Sequence, residues 1–175
     1  MQLRKRAIGL SLLATLTLLF GGWFLYQKMK VETPLRTHIG QMKSAELTHL
    51  DVSKDRIEIK LQVTRPDLFP QEYRRLLQET ADLARGKTVE VDVDNDSQDL
   101  EQIWMDGLFS FTEALDLHQY SRIPQMLTEW KTAHRLDEAS ALMDDRNVYV
   151  YLKKGKDDFY AIIPRSAGNE VTMHG

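Results

Sequence analysis

Carboxylates dominate the side chains able to do chemistry in this chain. From Thr88 to Ser121 there is no Lys or Arg, while Glu90, Asp92, Asp94, Asp96, Asp99, Glu101, Asp106, Glu113 and Asp116 all fall inside the stretch. Alternating oxygens can wrap a hard cation, and Asp92, Asp94 and Asp96 have the one-apart spacing that opens a calcium loop. These three are the candidate metal ligands. The match then fails, because the sixth position counted from Asp92 is Ser97 rather than Gly and the twelfth is Ile103 rather than a bidentate Glu. Each residue also has a plainer reading: Glu90 and Asp92 suit the wet side of a strand, Asp96 caps a helix, and Asp99 and Glu101 favour its positive end.

Asp106 and Glu113 share one helix face and could serve as acid and base, but that work needs one of them buried to raise its pKa. Both fall in a polar arc beside Gln102 and Ser110, the setting of a solvated stripe. The five histidines (His38, His49, His118, His134 and His174) include no pair at metal-ligand spacing. His134 is expected on an apolar helix face, as a core residue bonded to backbone. There is no Gly-x-Ser-x-Gly elbow and no glycine-rich phosphate loop. The absence of cysteine removes disulfides, thiolate nucleophiles and Cys-type zinc sites together. Catalysis has no anchor in these residues, and no cofactor is expected. Tyr149, Tyr151 and Tyr160 are the candidate interaction residues: an exposed cluster of this kind would bind protein, whereas a face packed on helices would make them core.

The elements that must position these residues follow from periodicity. Glu46 to Val52 and Arg56 to Thr64 form a hairpin across Ser53-Lys54-Asp55, and Ile57, Ile59, Leu61 and Val63 alternate with polar residues. A helix over Gln71 to Arg85 is amphipathic at 100° steps, and Gly86 ends it. Lys87 to Asp94 alternates through Val89, Val91 and Val93. A second helix starts at Asp96 or Ser97 and runs to His118, burying an arc that includes Leu100, Trp104, Gly107 and Phe111. A third covers Ile123 to Arg135, with Pro124 in its first turn. Ala139 to Met143, Asn147 to Lys153 and Asp158 to Pro164 form a meander that turns at Lys154-Gly155-Lys156-Asp157. The order ββαβααβββ predicts an α+β domain with a largely antiparallel sheet and helices on one face.

Ahead of this domain, residues 7–26 (AIGLSLLATLTLLFGGWFLY) carry no charge and follow Arg4-Lys5-Arg6. As a helix this run is about 30 Å long, the thickness of a bilayer's hydrocarbon core. It exceeds a signal-peptide core, and a cut after Gly21 or Gly22 would need a small residue where Leu19 or Phe20 stands. A retained transmembrane signal-anchor is therefore expected over 7–26, with a cytoplasmic N-terminus at 1–6. A stalk follows at 27–45, then an extracytoplasmic α+β domain at 46–165 and a flexible tail at 166–175. Trp23 and Tyr26 suit the far headgroup boundary, and the basic flank sets the N-terminus inside.

From Val31 onward 18 Lys and Arg face 26 Asp and Glu, a net charge of −8 that repels nucleic acid. A signal-anchor followed by a small α+β module resembles a recurrent architecture of bacterial envelope proteins, and the βαβ-like unit from Arg56 to Asp94 resembles their modules in topology. The sequence thus points to a single-pass membrane protein, lodged in the lipid bilayer through 7–26. Its acidic domain is expected to engage a membrane or envelope protein without enzymatic activity. A ligand- or calcium-responsive sensor domain is the alternative, and an envelope enzyme ranks third.

Overall fold

A computed structural model describes residues 12–22, 26, 28–84 and 86–165. Residues 12–22 are helical (α1). A single π-helical turn, Lys28–Glu32, leads into α2 (Thr33–Ile39), β1 (Ala45–Val52), β2 (Arg56–Val63), α3 (Phe69–Ala84) and β3 (Thr88–Val93). Then come α4 (Gln98–Asp116), the 3-10 turn Tyr120–Arg122, α5 (Ile123–His134), β4 (Glu138–Met143), β5 (Asn147–Lys154) and β6 (Asp157–Pro164). The α+β class holds, and from β1 onward the order of strands and α-helices is ββαβααβββ.

The strands form two sheets of three rather than one. In the first, β2 is central, antiparallel to β1 and parallel to β3. The mixed pairing has a simple cause: α3 carries the chain back along the sheet, so β3 must start from the same end as β2. Ile57, Ile59 and Leu61 of β2 are fully buried against α3, while Glu58, Lys60 and Gln62 point to the other, wetter face. Burying each of these apolar side chains contributes roughly 1.5–3 kcal/mol. The α3 stripe is Phe69, Tyr73, Leu76, Thr80 and Ala84. Gly86 stops the chain after α3 with φ +89°, a conformation that side-chain-bearing residues rarely adopt.

The second sheet is the antiparallel meander β4-β5-β6. Its central strand is covered on both faces. Val148, Val150 and Leu152 join the core of α4 and α5 with Leu100, Phe111 and Leu127, while Tyr149 and Tyr151 join the core of α3 and the first sheet. Helices therefore lie on both faces of the meander, not on one. The two sheets are joined by Asn95, just past β3. Its side-chain amide donates to the Tyr160 carbonyl at 3.0 Å and accepts from the Tyr160 N–H at 2.7 Å, standing in for a strand residue at the edge of β6.

The expected stalk at 27–45 is described from residue 28, and 28–39 is helical. Val31, Leu35 and Ile39 are buried in the α3 core, so this segment is part of the domain's packing. Glu72 ties the following loop to α3. Its Oε2 accepts from the N–H groups of Lys43 and Ser44, both at 2.9 Å, and from Ser44 Oγ at 2.6 Å. His134, expected to face inward on α5, is exposed. Among the described residues, no helix is long and apolar enough to cross a membrane. Of the expected span, residues 7–11 and 23–25 lie outside the described residues, as do 1–6 and 166–175.

Candidate functional site

The acidic stretch does not converge. Asp92 is on the exposed face of β3 in register with Lys60, and Asp96 is exposed in the loop before α4. Asp94 accepts a short hydrogen bond from the hydroxyl of Thr48, the bulged residue of β1. Among the described residues no group of three His, Asp or Glu side chains is placed to hold a metal. Ser97, not Asp96, caps α4, accepting from the Leu100 N–H at 3.4 Å. Asp106 and Glu113 stay on the exposed face of α4, where Asp106 accepts from Gln102 Nε2 at 2.7 Å.

The tyrosines do come together, in the interior. Tyr149 is 1% exposed, Tyr160 4% and Tyr151 8%, so they form no exposed cluster. Tyr151 and Tyr160 are register partners across the β5–β6 hairpin with ring centroids 6.3 Å apart, and Tyr149 lies 6.4 Å from Tyr160. Phe69 closes the cluster from α3, edge-on to Tyr160 at 5.0 Å. The hydroxyls differ sharply. That of Tyr149 donates to Asp144 Oδ2 at 2.8 Å and accepts from Asn147 Nδ2 at 3.3 Å. That of Tyr160 is buried with no hydrogen-bond partner among the described residues. Burial pushes all three phenols up; Asp144 adds to this at Tyr149, and the charges of Asp158 and Glu138 add to it at Tyr151. They are neutral at any physiological pH.

These rings line one side of a cleft of about 500 Å3 between the meander and the β2–α3 loop. Thr64, Pro66 and Asp67 form the loop side; Glu138, Ser140 and Leu142 of β4 and Lys153 of β5 complete it. The turn beneath is held by Asp144, whose Oδ1 accepts from the N–H groups of Arg146 and Asn147 at 2.8 and 2.7 Å. Burial alone would raise the Asp144 pKa, but these donors, the Tyr149 hydroxyl and the nearby Arg74 charge hold it below the usual carboxylate range.

A second surface escaped the sequence reading. Along α4, Glu101, Met105, Phe109 and Glu113 recur every four residues and share one face. Phe109 is 88% exposed and Met105 51%. The sequence signal was there: at 100° steps Phe109 falls between Asp116 and Gln102 on the polar arc, with Met105 at that arc's edge. A fully wetted Phe beside a half-wetted Met is an apolar ridge set between carboxylates.

No family model matches the chain, and neither a curated protein nor a solved structure is significantly similar to it.

Proposed function

We propose that this protein is a single-pass, membrane-anchored interaction module whose acidic α+β domain binds a protein partner outside the cytoplasm without enzymatic activity. The observation that carries the reading is Phe109, 88% exposed beside Met105 on a helix with no cation in reach of sequence. Exposed apolar side chains of this size, rimmed by charge, are the usual anchors of protein interfaces. Glu101, Asp106 and Glu113 border the ridge, which selects a partner segment carrying Lys or Arg around an apolar groove. A second copy of the same helix would set carboxylates against carboxylates, so a different chain is the occupant. The anchor rests on the uncharged run 7–26 behind Arg4-Lys5-Arg6; within it, helical residues Leu12, Leu13, Leu16, Leu18, Leu19 and Phe20 are all exposed, as a lipid-facing helix requires.

The test is photocrosslinking in intact cells from a photoreactive residue at position 109, with protease accessibility of the domain measured on the same cells. A discrete adduct that disappears on Glu101→Lys/Glu113→Lys replacement, with the domain cleaved from outside, is the expected result. An adduct unaffected by charge reversal removes the electrostatic part of the reading. No adduct from position 109 removes the ridge as the interface, and a domain protected in intact cells but cleaved after lysis reverses the orientation.

A further inference from the structure

We propose that the free edge of β4 takes an extended segment of a partner protein as an added strand, independently of the α4 ridge. Which backbone groups face outward follows from the register. The Asp144 N–H donates to the Asn147 carbonyl at 3.0 Å, pairing those two residues. By the alternation of antiparallel ladders, Leu142, Ser140 and Glu138 also turn their N–H and C=O groups toward β5. Those of Ala139, Ala141 and Met143 therefore point away from the sheet, and no described residue bonds to them. The other three edges are guarded. The β1 edge is broken by the bulge at Thr48, β3 carries exposed Glu90 and Asp92, and β6 ends in Pro164 with Asn95 on the outward groups of Tyr160. Bulges, edge charges and prolines keep strand edges from pairing. Between Glu138 and Asp144 the β4 edge has none of these: it reads Ala-Ser-Ala-Leu-Met in unbroken register with β5.

The cleft beside this edge supplies room for side chains. Glu138, Ser140 and Leu142 share one face of β4 and line it, with Thr64, Pro66 and Asp67 across. Alternate side chains of an added strand lie on that same face. Strand addition takes its affinity from main-chain hydrogen bonds and its specificity from such pockets. Leu142 is 44% exposed, so the residue paired with it is apolar. Glu138 has Lys153 as its neighbour on β5, and a Lys or Arg on its open side sets the carboxylate between two cations. These positions define the partner segment: a strand carrying one basic and one apolar residue at the spacing of Glu138 and Leu142. A second copy of β4 does not fit, because self-pairing centred on Ala141 sets Glu138 opposite Asp144 in both halves.

The experiment uses the full chain in detergent micelles and two fluorescein-labelled peptides, TKTSTVT and TVTSTKT, followed by fluorescence anisotropy. They present the basic and apolar residues for parallel and antiparallel addition respectively. Saturable binding of one of them is expected. N-methylation of every second amide should weaken it by at least about tenfold in one phase and spare it in the other, because only one edge of the peptide faces β4. Bound peptide should slow hydrogen exchange at Ala139, Ala141 and Met143 and leave Ser140 and Leu142 unchanged. Glu138→Lys should weaken the peptide by about fivefold and favour an analogue with Glu in place of its Lys. Ala141→Pro removes an outward N–H that makes no bond to β5, so it should fold and lose binding; the N-methylated peptides test the same bonds without altering the protein. Binding of neither peptide, equal binding of both N-methylated forms, or full affinity in both variants overturns the site. Concentration-dependent dimerisation that Ala141→Pro abolishes assigns the edge to a second copy and overturns it as well. Phe109→Ser should leave peptide binding unchanged, so failure here leaves the α4 interface standing, and the converse holds.

Discussion

Gly107→Ala is the sharpest test of how α4 meets α5. A Cβ built on Gly107 would lie 1.9 Å from Trp130 Cζ2, 2.5 Å from Cη2 and 2.6 Å from Cε2. Carbon atoms rest at about 3.5 Å or more, so the indole would have to retreat by roughly 1.6 Å. That movement breaks its edge contact with Trp104 at 6.2 Å and its contact with Phe111 at 6.5 Å. Two aromatic pairs at ~0.5–1.5 kcal/mol each, with overpacking strain of ~1 kcal/mol or more, exceed the ~1 kcal/mol that alanine gains over glycine in a helix interior. The net expectation is a loss of about 2 kcal/mol. In a Trp130→Ala background the obstacle is gone, and the same substitution should stabilise by about 1 kcal/mol. The two values are read from urea titrations of the full chain in detergent, followed by far-UV circular dichroism so that loss of an indole does not affect the signal. A Gly107→Ala chain that is stabilised equally in both backgrounds would refute the packing.

Four further outcomes are expected. Asn95→Ala leaves the Tyr160 N–H and carbonyl without their bridge and should cost about 2 kcal/mol, with hydrogen exchange at Tyr160 accelerating most. Acid lability follows from Glu72 and Asp144: at both, burial would raise the pKa but hydrogen bonds and nearby arginine charge hold it below the ordinary range. A carboxylate depressed in the folded state stabilises fully above its unfolded pKa and loses that contribution as pH falls through the folded value. Urea midpoints should therefore drop below about pH 4, and Glu72→Gln with Asp144→Asn should flatten the drop; an unchanged slope would count against both networks. Phe109→Ser should change stability by less than about 0.5 kcal/mol while abolishing the position-specific partner adduct. Millimolar calcium should leave the melting temperature unmoved, because Asp92, Asp94 and Asp96 do not converge and an ion without a native-state site has nothing to stabilise.

The fold was legible wherever one face of an element is wet. Ile57, Ile59, Leu61 and Val63 alternate with polar residues, and α3 separates its stripe from Arg74, Arg75 and Gln78, so burial selects one phase and the element type follows. Alternation does not say which strand lies alongside or in which direction. The parallel pairing of β3 came instead from connectivity, since a helix between two strands of one sheet returns the chain to its starting end. At the N-terminal side of the domain, Val31, Leu35 and Ile39 do recur at helical spacing. Three apolar residues over two turns, with Pro34 among them, make too short a run to stand out against an irregular linker. Only the core they enter, built from β2 and α3 further along the chain, makes them helical and buried.

The site was illegible for a related reason, and β5 shows it. Asn147 to Lys154 reads Val, Tyr, Val, Tyr, Leu with no polar residue between Val148 and Leu152, the pattern of a strand buried on both faces. That pattern requires a helix on each side of the meander, and α3 supplies the second one from a distant part of the sequence. Tyrosine is ambivalent in this position, because its ring satisfies an apolar core and its hydroxyl needs a partner that no local rule provides. Tyr149 finds Asp144 within its own hairpin turn, whereas Tyr160 finds none among the described residues. The difference between the two hydroxyls cannot be read from their alternating positions on one sheet face. It is set by tertiary neighbours: a carboxylate from the β4–β5 turn reaches the Tyr149 hydroxyl, while the Tyr160 ring is packed against Phe69 of α3.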